Sequence, residues 1–126
     1  MDKTYKILIS EDEKSIAQAY GEFLGRKGYS VDYAYDGEEA LEKVKEFKPD
    51  LVLLDIVMPK MDGITVLKKL KEDESTKDIP VIMLTNLASS KDAEEAMREG
   101  SSEYLIKTNF SLEDVESKVA ECCKKG

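Results

Sequence analysis

Residues 51–59 read Leu51-Val52-Leu53-Leu54-Asp55-Ile56-Val57-Met58-Pro59. Four apolar residues run straight into a carboxylate, three more follow, and a proline closes the stretch. An apolar run this short and uninterrupted fits a strand buried on both faces, as in a parallel sheet with helices on either side. A charged group at the end of such a strand must be paired, coordinated or used, because burying it alone is costly.

The same alternation of short apolar runs and amphipathic stretches continues in both directions. Residues 5–9 read as a strand, followed by a helix with Ile16, Ala17, Tyr20, Phe23 and Leu24 on one face and Gly28 as its stop. Residues 30–34 form a shorter, more polar strand suited to a sheet edge. Asp36 and Glu39 have the spacing of a capping box for a helix with Ala40, Leu41, Val44 and Phe47 on its apolar face, ended by Pro49. Beyond 51–54, Asp62 caps a helix bearing Ile64, Leu67 and Leu70, and residues 79–84 make a fourth strand. A weaker helix carries Ala93, Ala96 and Met97 up to Gly100, and residues 104–106 lie in a fifth strand. Ser111 caps a last helix with Leu112, Val115, Val119 and Cys122 on one face, its C-terminal dipole met by Lys124 and Lys125 before Gly126. Five strand–helix units imply a five-stranded, doubly wound parallel α/β fold.

Composition narrows the chemistry. The 126 residues suit one domain spanning 1–126, with no output domain expected. The net charge of −8 disfavours direct binding to nucleic acid or anionic membranes. No apolar run has the length of a membrane span and no signal-peptide pattern opens the chain, so a cytoplasmic protein is expected. Cys122 and Cys123 are neighbours, which excludes a fold-stapling disulfide and leaves them as helix-face residues. The chain contains no histidine, so Ser-His-Asp triads, Cys-His dyads and zinc–histidine sites are excluded.

In a doubly wound sheet, ligands bind outside the carboxyl ends of the strands. Strand one ends in Ser10-Glu11-Asp12, strand three in Asp55, strand four in Thr85 and strand five in Lys107. Three carboxylates gathered there repel one another, and a hard divalent cation relieves the conflict. Oxygen-only ligands select Mg²⁺ or Mn²⁺ over zinc. Beside such an ion and Lys107, a carboxylate oxygen of Asp55 can attack a phosphoryl group, with Thr85 and backbone amides holding its equatorial oxygens.

Taken in order, Glu11-Asp12, LVLLDIVMPKMDG (51–63), PVIMLT (80–85) and EYLIK (103–107) resemble the receiver domain of two-component response regulators over essentially the whole chain. The resemblance implies a flavodoxin-like (βα)5 fold with strand order 2-1-3-4-5. It implies a signalling switch in which Asp55 accepts a phosphoryl group from a phosphohistidine on a sensor histidine kinase or histidine phosphotransfer protein. Mg²⁺, or Mn²⁺, would be held by Asp12, Asp55 and the backbone carbonyl of Val57, with Glu11 acting through a bound water. Thr85 and Lys107 would serve the transfer. Thr85 would move to the phosphoryl group, Tyr104 would turn inward, and the face formed by helix four, strand five and helix five would change its preference for an effector protein.

Three positions depart from the family pattern. Thr108 follows Lys107 where a proline in a cis bond is usual, and a cis bond before threonine costs ~3–4 kcal/mol. Asn86 follows Thr85 where a small residue is usual. Leu87 comes next, so with Val57 it leaves the approach to the phosphoryl group apolar; Val57, Asn86 and Leu87 are therefore expected to set its lifetime. Two other readings compete. A Mg²⁺-dependent phosphatase with an aspartyl-phosphate intermediate would resemble the haloacid dehalogenase type, but Val57 stands where those enzymes carry a second aspartate and no cap insertion is present. A docking module that works unphosphorylated is the other.

Overall fold

A computed structural model of the chain describes residues 3–87 and 89–125, apart from the side chains of Lys124 and Lys125. The expected roles of Lys124, Lys125 and Gly126 at the last helix end lie outside the described side chains and residues. Five strands and five helices alternate: β1 (Lys6–Ser10), α1 (Lys14–Arg26), β2 (Ser30–Ala34), α2 (Gly37–Phe47), β3 (Leu51–Leu54), α3 (Gly63–Glu72), β4 (Val81–Thr85), α4 (Ser90–Arg98), β5 (Glu103–Ile106) and α5 (Leu112–Lys125). All pairings are parallel, in the order β2-β1-β3-β4-β5.

Strand parity divides the core. Ile7, Ile9, Leu51, Leu53, Ile82, Leu84 and Leu105 pack with Ala17, Tyr20 and Leu24 of α1 and Val115, Val119 and Cys123 of α5. The alternate residues Leu8, Val52, Leu54, Val81 and Met83 pack with α2, α3 and Ala96 of α4. Each face of β3 is thus covered, which is why its sequence shows no polar alternation.

The helix ends follow the expected chemistry. Gly28 adopts φ +99°, which lets the Tyr29 N–H reach the Leu24 carbonyl at 3.1 Å and close α1. Asp36 accepts from the Glu39 N–H at 2.8 Å, while Glu39 reaches back to the Tyr35 N–H at 2.6 Å. Asp62 accepts from the Thr65 N–H, and Ser111 and Asp114 cap each other reciprocally.

Four details depart from the sequence expectations. β1 extends to Ser10, which pairs with Ala34 and Leu54. β4 begins at Val81, because Pro80 has no N–H and the Ile79 N–H is used in a turn to Thr76. Cys123 is buried in the core, continuing the four-residue spacing of Val115 and Val119, while Cys122, expected on the apolar face, packs against the same core half-buried. Met97 and Leu112, assigned to apolar helix faces, are 48% and 36% exposed; α4 buries only Ala96 fully.

Candidate functional site

The sheet delivers its chemistry to one edge. Glu11, Asp55 and Lys107 each follow the strand parity of Ile9, Leu53 and Leu105, so they lean to the α1/α5 side. Thr85 and Tyr104 follow the opposite parity, with Met83, towards α3 and α4. The site therefore has a charged half and a hydroxyl-bearing half on either side of one sheet edge.

Asp55 is 7% exposed and is held from two directions. Its Oδ1 accepts from the backbone N–H of Ile56 at 2.7 Å and of Val57 at 3.4 Å. Its Oδ2 accepts from Lys107 Nζ at 2.8 Å. Lys107 also donates to Glu11 Oε1, and the other Glu11 oxygen accepts from the Glu13 N–H at 3.0 Å. Burial works against the Lys107 ammonium, but its hydrogen bonds to Asp55 and Glu11 outweigh this and hold its pKa above the usual lysine value. Burial pushes the Glu11 carboxyl up, to about 7, against the pull of Lys107 and the Glu13 N–H. Asp12 stands exposed beside them.

One ammonium faces three carboxylates. Glu11, Asp12 and Asp55 each offer an oxygen within 4.8 Å of the others. Such an all-oxygen set with excess negative charge fits a hard divalent cation of the Mg²⁺ or Mn²⁺ type. Asp12 is the expected ligand left accessible; it does not cap α1, whose cap position is Glu13 with no side-chain hydrogen bond.

Two tight packings hold the loop after β3. A Cβ at Gly63 would lie 2.0 Å from the Asp55 carbonyl oxygen, so only glycine lets α3 start this close, with the Gly63 N–H on the Ile56 carbonyl at 2.8 Å. On the β1 side, the buried Ser10 hydroxyl donates to Met58 Sδ at 3.2 Å. Ser10 was legible only as a strand-end hydroxyl; nothing in the spacing pointed to Met58 as its partner.

Thr85 is 1% exposed, and its hydroxyl accepts from the Leu87 N–H at 3.3 Å. The Tyr104 hydroxyl donates to the Leu87 carbonyl at 2.6 Å. The peptide groups flanking Leu87 are thereby held by both Thr85 and Tyr104. Tyr104 is already half-buried against the α3/α4 core in this conformation. Asp12, Ile16, Asp55, Val57, Thr85 and Leu87 line an open cleft of about 320 Å³, to which Asn86 and Lys107 also contribute. Val57 is 62% exposed at its rim. Lys107–Asn109 form a 3₁₀ turn, and no peptide bond among the described residues is cis, so the Thr108 departure is accommodated by a trans bond.

A sheet of this order, with acidic residues after β1 and β3, a hydroxyl at the end of β4 and a lysine after β5, has the arrangement of a flavodoxin-like receiver fold. The family model for the response regulator receiver domain matches residues 7–120, and the chain belongs to that family. It is 38% identical over 114 residues to the DNA-binding dual master transcriptional regulator RpaA of Synechocystis, covering 90% of this chain and 47% of that protein. It is 42% identical over 102 residues to the transcriptional regulatory protein DltR of Streptococcus agalactiae, covering 81% and 45%. The chain spans about half the length of these curated relatives. The receiver domain of Francisella response regulator 1452 superposes with a TM-score of 0.88 at 33% identity, covering 97% of this chain and 98% of that one. No helix among the described residues is long and apolar enough to cross a membrane.

Proposed function

We propose that this chain is a phosphorylation-activated switch whose acceptor is Asp55. The observation that carries the reading is the Lys107–Asp55 contact at 2.8 Å, with Glu11 and Asp12 oxygens gathered around it. One Asp55 carboxylate oxygen attacks phosphorus, the P–N bond of a partner's phosphohistidine breaks, and the electron pair leaves with the imidazole. Having no histidine, the chain receives from a sensor histidine kinase or histidine phosphotransfer protein.

Asp12, Asp55 and the Val57 carbonyl would hold Mg²⁺, and Glu11 would reach it through water. When bound, the ion offsets the charge of the carboxylates and of the incoming phosphoryl oxygens. Lys107 releases part of its hold on Asp55 and stabilises the same charge. Thr85 turns its hydroxyl to a phosphoryl oxygen, which frees the Leu87 N–H and loosens the segment that Tyr104 tethers. The outcome is a population shift of the α4–β5–α5 face towards one effector-binding form. Met97 on α4 and Leu112 on α5 are exposed apolar side chains suited to such a partner. Its catalysis is confined to its own phosphorylation and slow dephosphorylation, and a cytoplasmic site of action goes with that reading. The acidic net charge argues against direct contact with nucleic acid or membrane.

Intact mass after incubation with acetyl phosphate and Mg²⁺ tests this. One phosphoryl group should be added and removed by hydroxylamine, and Asp55→Asn should abolish the addition. Equal labelling of Asp55→Asn would place the acceptor elsewhere.

A further inference from the structure

Tyr20 sits in the middle of α1, eight residues after Asp12, at a position that the helical pattern marks only as core-facing. It is 9% exposed and packs on the α1/α5 side of the sheet. Glu11, Asp55 and Lys107 lean to that same side, so Tyr20 lies below the charged half of the site. Tyr20 shares with Ile9, Leu53, Leu84, Glu11, Asp55 and Lys107 the wall of a narrow crevice of about 10 Å³. That is near the lower limit for one water, and the surface lining it is almost entirely carbon. The phenol makes no hydrogen bond to another described residue. Burial raises its pKa, and Lys107, Glu11 and Asp55 are the charges that act on it.

We propose that Tyr20 is a positioning residue for Lys107, its ring forming the apolar floor that holds the ammonium over Asp55. The inference rests on the Asp55 acceptor reading and adds a residue to it. Lys107 reaches its partners on a flexible four-carbon stem from the turn after β5, a strand two places from β3 and three from β1. Its ion pairs to Asp55 and Glu11 converge from the far side of β4. Without a filled floor the stem has room to sag, and water can enter beneath the pair and screen it. The ring prevents both. The hydroxyl is not needed for either, so phenylalanine should serve and a smaller aliphatic side chain should not.

The test is a double-mutant cycle on the full chain, reading the limiting rate of phosphoryl uptake at saturating acetyl phosphate, with Mg²⁺ affinity by calorimetry and Tm alongside. Tyr20→Phe should react within about twofold of wild type. Tyr20→Leu should lower the limiting rate by roughly 10- to 100-fold, the scale of a misplaced reacting group, with Mg²⁺ affinity retained. In a Lys107→Met background, Tyr20→Leu should cause no further loss, because its effect passes through the lysine. Tyr20→Met, closer in length to tyrosine, carries the same comparison if Tyr20→Leu melts below the assay temperature. The same fractional loss with and without Lys107, an unchanged rate in Tyr20→Leu, or a loss in Tyr20→Phe as large as in Tyr20→Leu overturns the proposal. Failure of wild type to label at Asp55 would instead overturn the functional reading beneath it.

Discussion

Gly63→Ala puts the architecture of the proposed phosphoryl site to a direct test. An added Cβ would lie 2.0 Å from the Asp55 carbonyl oxygen and 2.8 Å from the Ile56 Cα. Both obstacles are backbone, so no side chain can rotate away. Ordinary contact begins near 3.4 Å, which leaves the Asp55 carbonyl and the start of α3 about 1.4 Å too close. The Gly63 N–H also holds the Ile56 carbonyl at 2.8 Å, and separating the two segments stretches that bond. Overpacking of this kind costs about 1–3 kcal/mol, and a lost hydrogen bond about 1 kcal/mol. The better helix propensity of alanine returns at most about 1 kcal/mol. The net loss of about 1–3 kcal/mol should lower Tm by roughly 4–12 °C for a domain of this size. Phosphoryl uptake should fall further, by roughly 100-fold, because a shift near 1 Å misplaces the nucleophile. Gly25→Ala is the matched control: nothing lies within 4 Å of its added Cβ, and it sits exposed in α1. It should raise stability by up to about 1 kcal/mol and leave uptake unchanged. Circular-dichroism melts and intact-mass time courses read both quantities. A Gly63→Ala protein that melts and reacts like wild type would refute the packing argument.

Three other outcomes are expected. Leu87→Glu should shorten the life of phospho-Asp55 by roughly 100-fold, the lower range for a positioned base, when decay is followed by intact mass in excess Mg²⁺; an unchanged lifetime would show that apolar shielding does not set the rate. The raised Glu11 pKa means that the folded state binds its proton more tightly than the unfolded chain. Its favourable contribution is therefore complete below the unfolded value near 4.5 and is lost as pH climbs through about 7. Metal-free protein should lose stability to urea between pH 5 and 7.5, Glu11→Gln should flatten that slope, and Mg²⁺ should offset the loss; a stability that rises over this window contradicts the assignment. Finally, burial pushes the Cys123 thiol up to about 11, so iodoacetamide at pH 8 should label it only after urea unfolds the chain, and equal rates in native and unfolded protein would place it outside the core.

Much of the fold was legible because each element carried its own local signal. The apolar run 51–54 marked a doubly covered strand, and Asp36, Asp62 and Ser111 marked helix starts by their side-chain oxygens. Errors arose where helical phase or a neighbour decided burial. Cys122 does pack against the core as its spacing suggested, but the four-residue step from Val119 buries Cys123 more deeply. Met97 fits an apolar stripe on paper, yet the short α4 seats itself on Ala96 and turns Met97 outward. Tyr20 was visible only as an apolar-face residue, since its closeness to the charged cluster depends on how α1 lies across the sheet.

The sequence by itself determined which groups reach the carboxyl edge of the sheet. Strand periodicity and strand ends are local properties, so Glu11, Asp12, Asp55, Thr85 and Lys107 could be placed there without any tertiary contact. The tertiary structure alone decided which of them touch. Lys107 can join Asp55 to Glu11 only because β5 lies on the same side of β3 as β4, with β1 beyond. Thr85 and Tyr104 can grip the same segment only because β4 and β5 are neighbours in this register. Strand order comes from long-range burial of the helix faces, and that energy belongs to the whole core rather than to any segment of the chain.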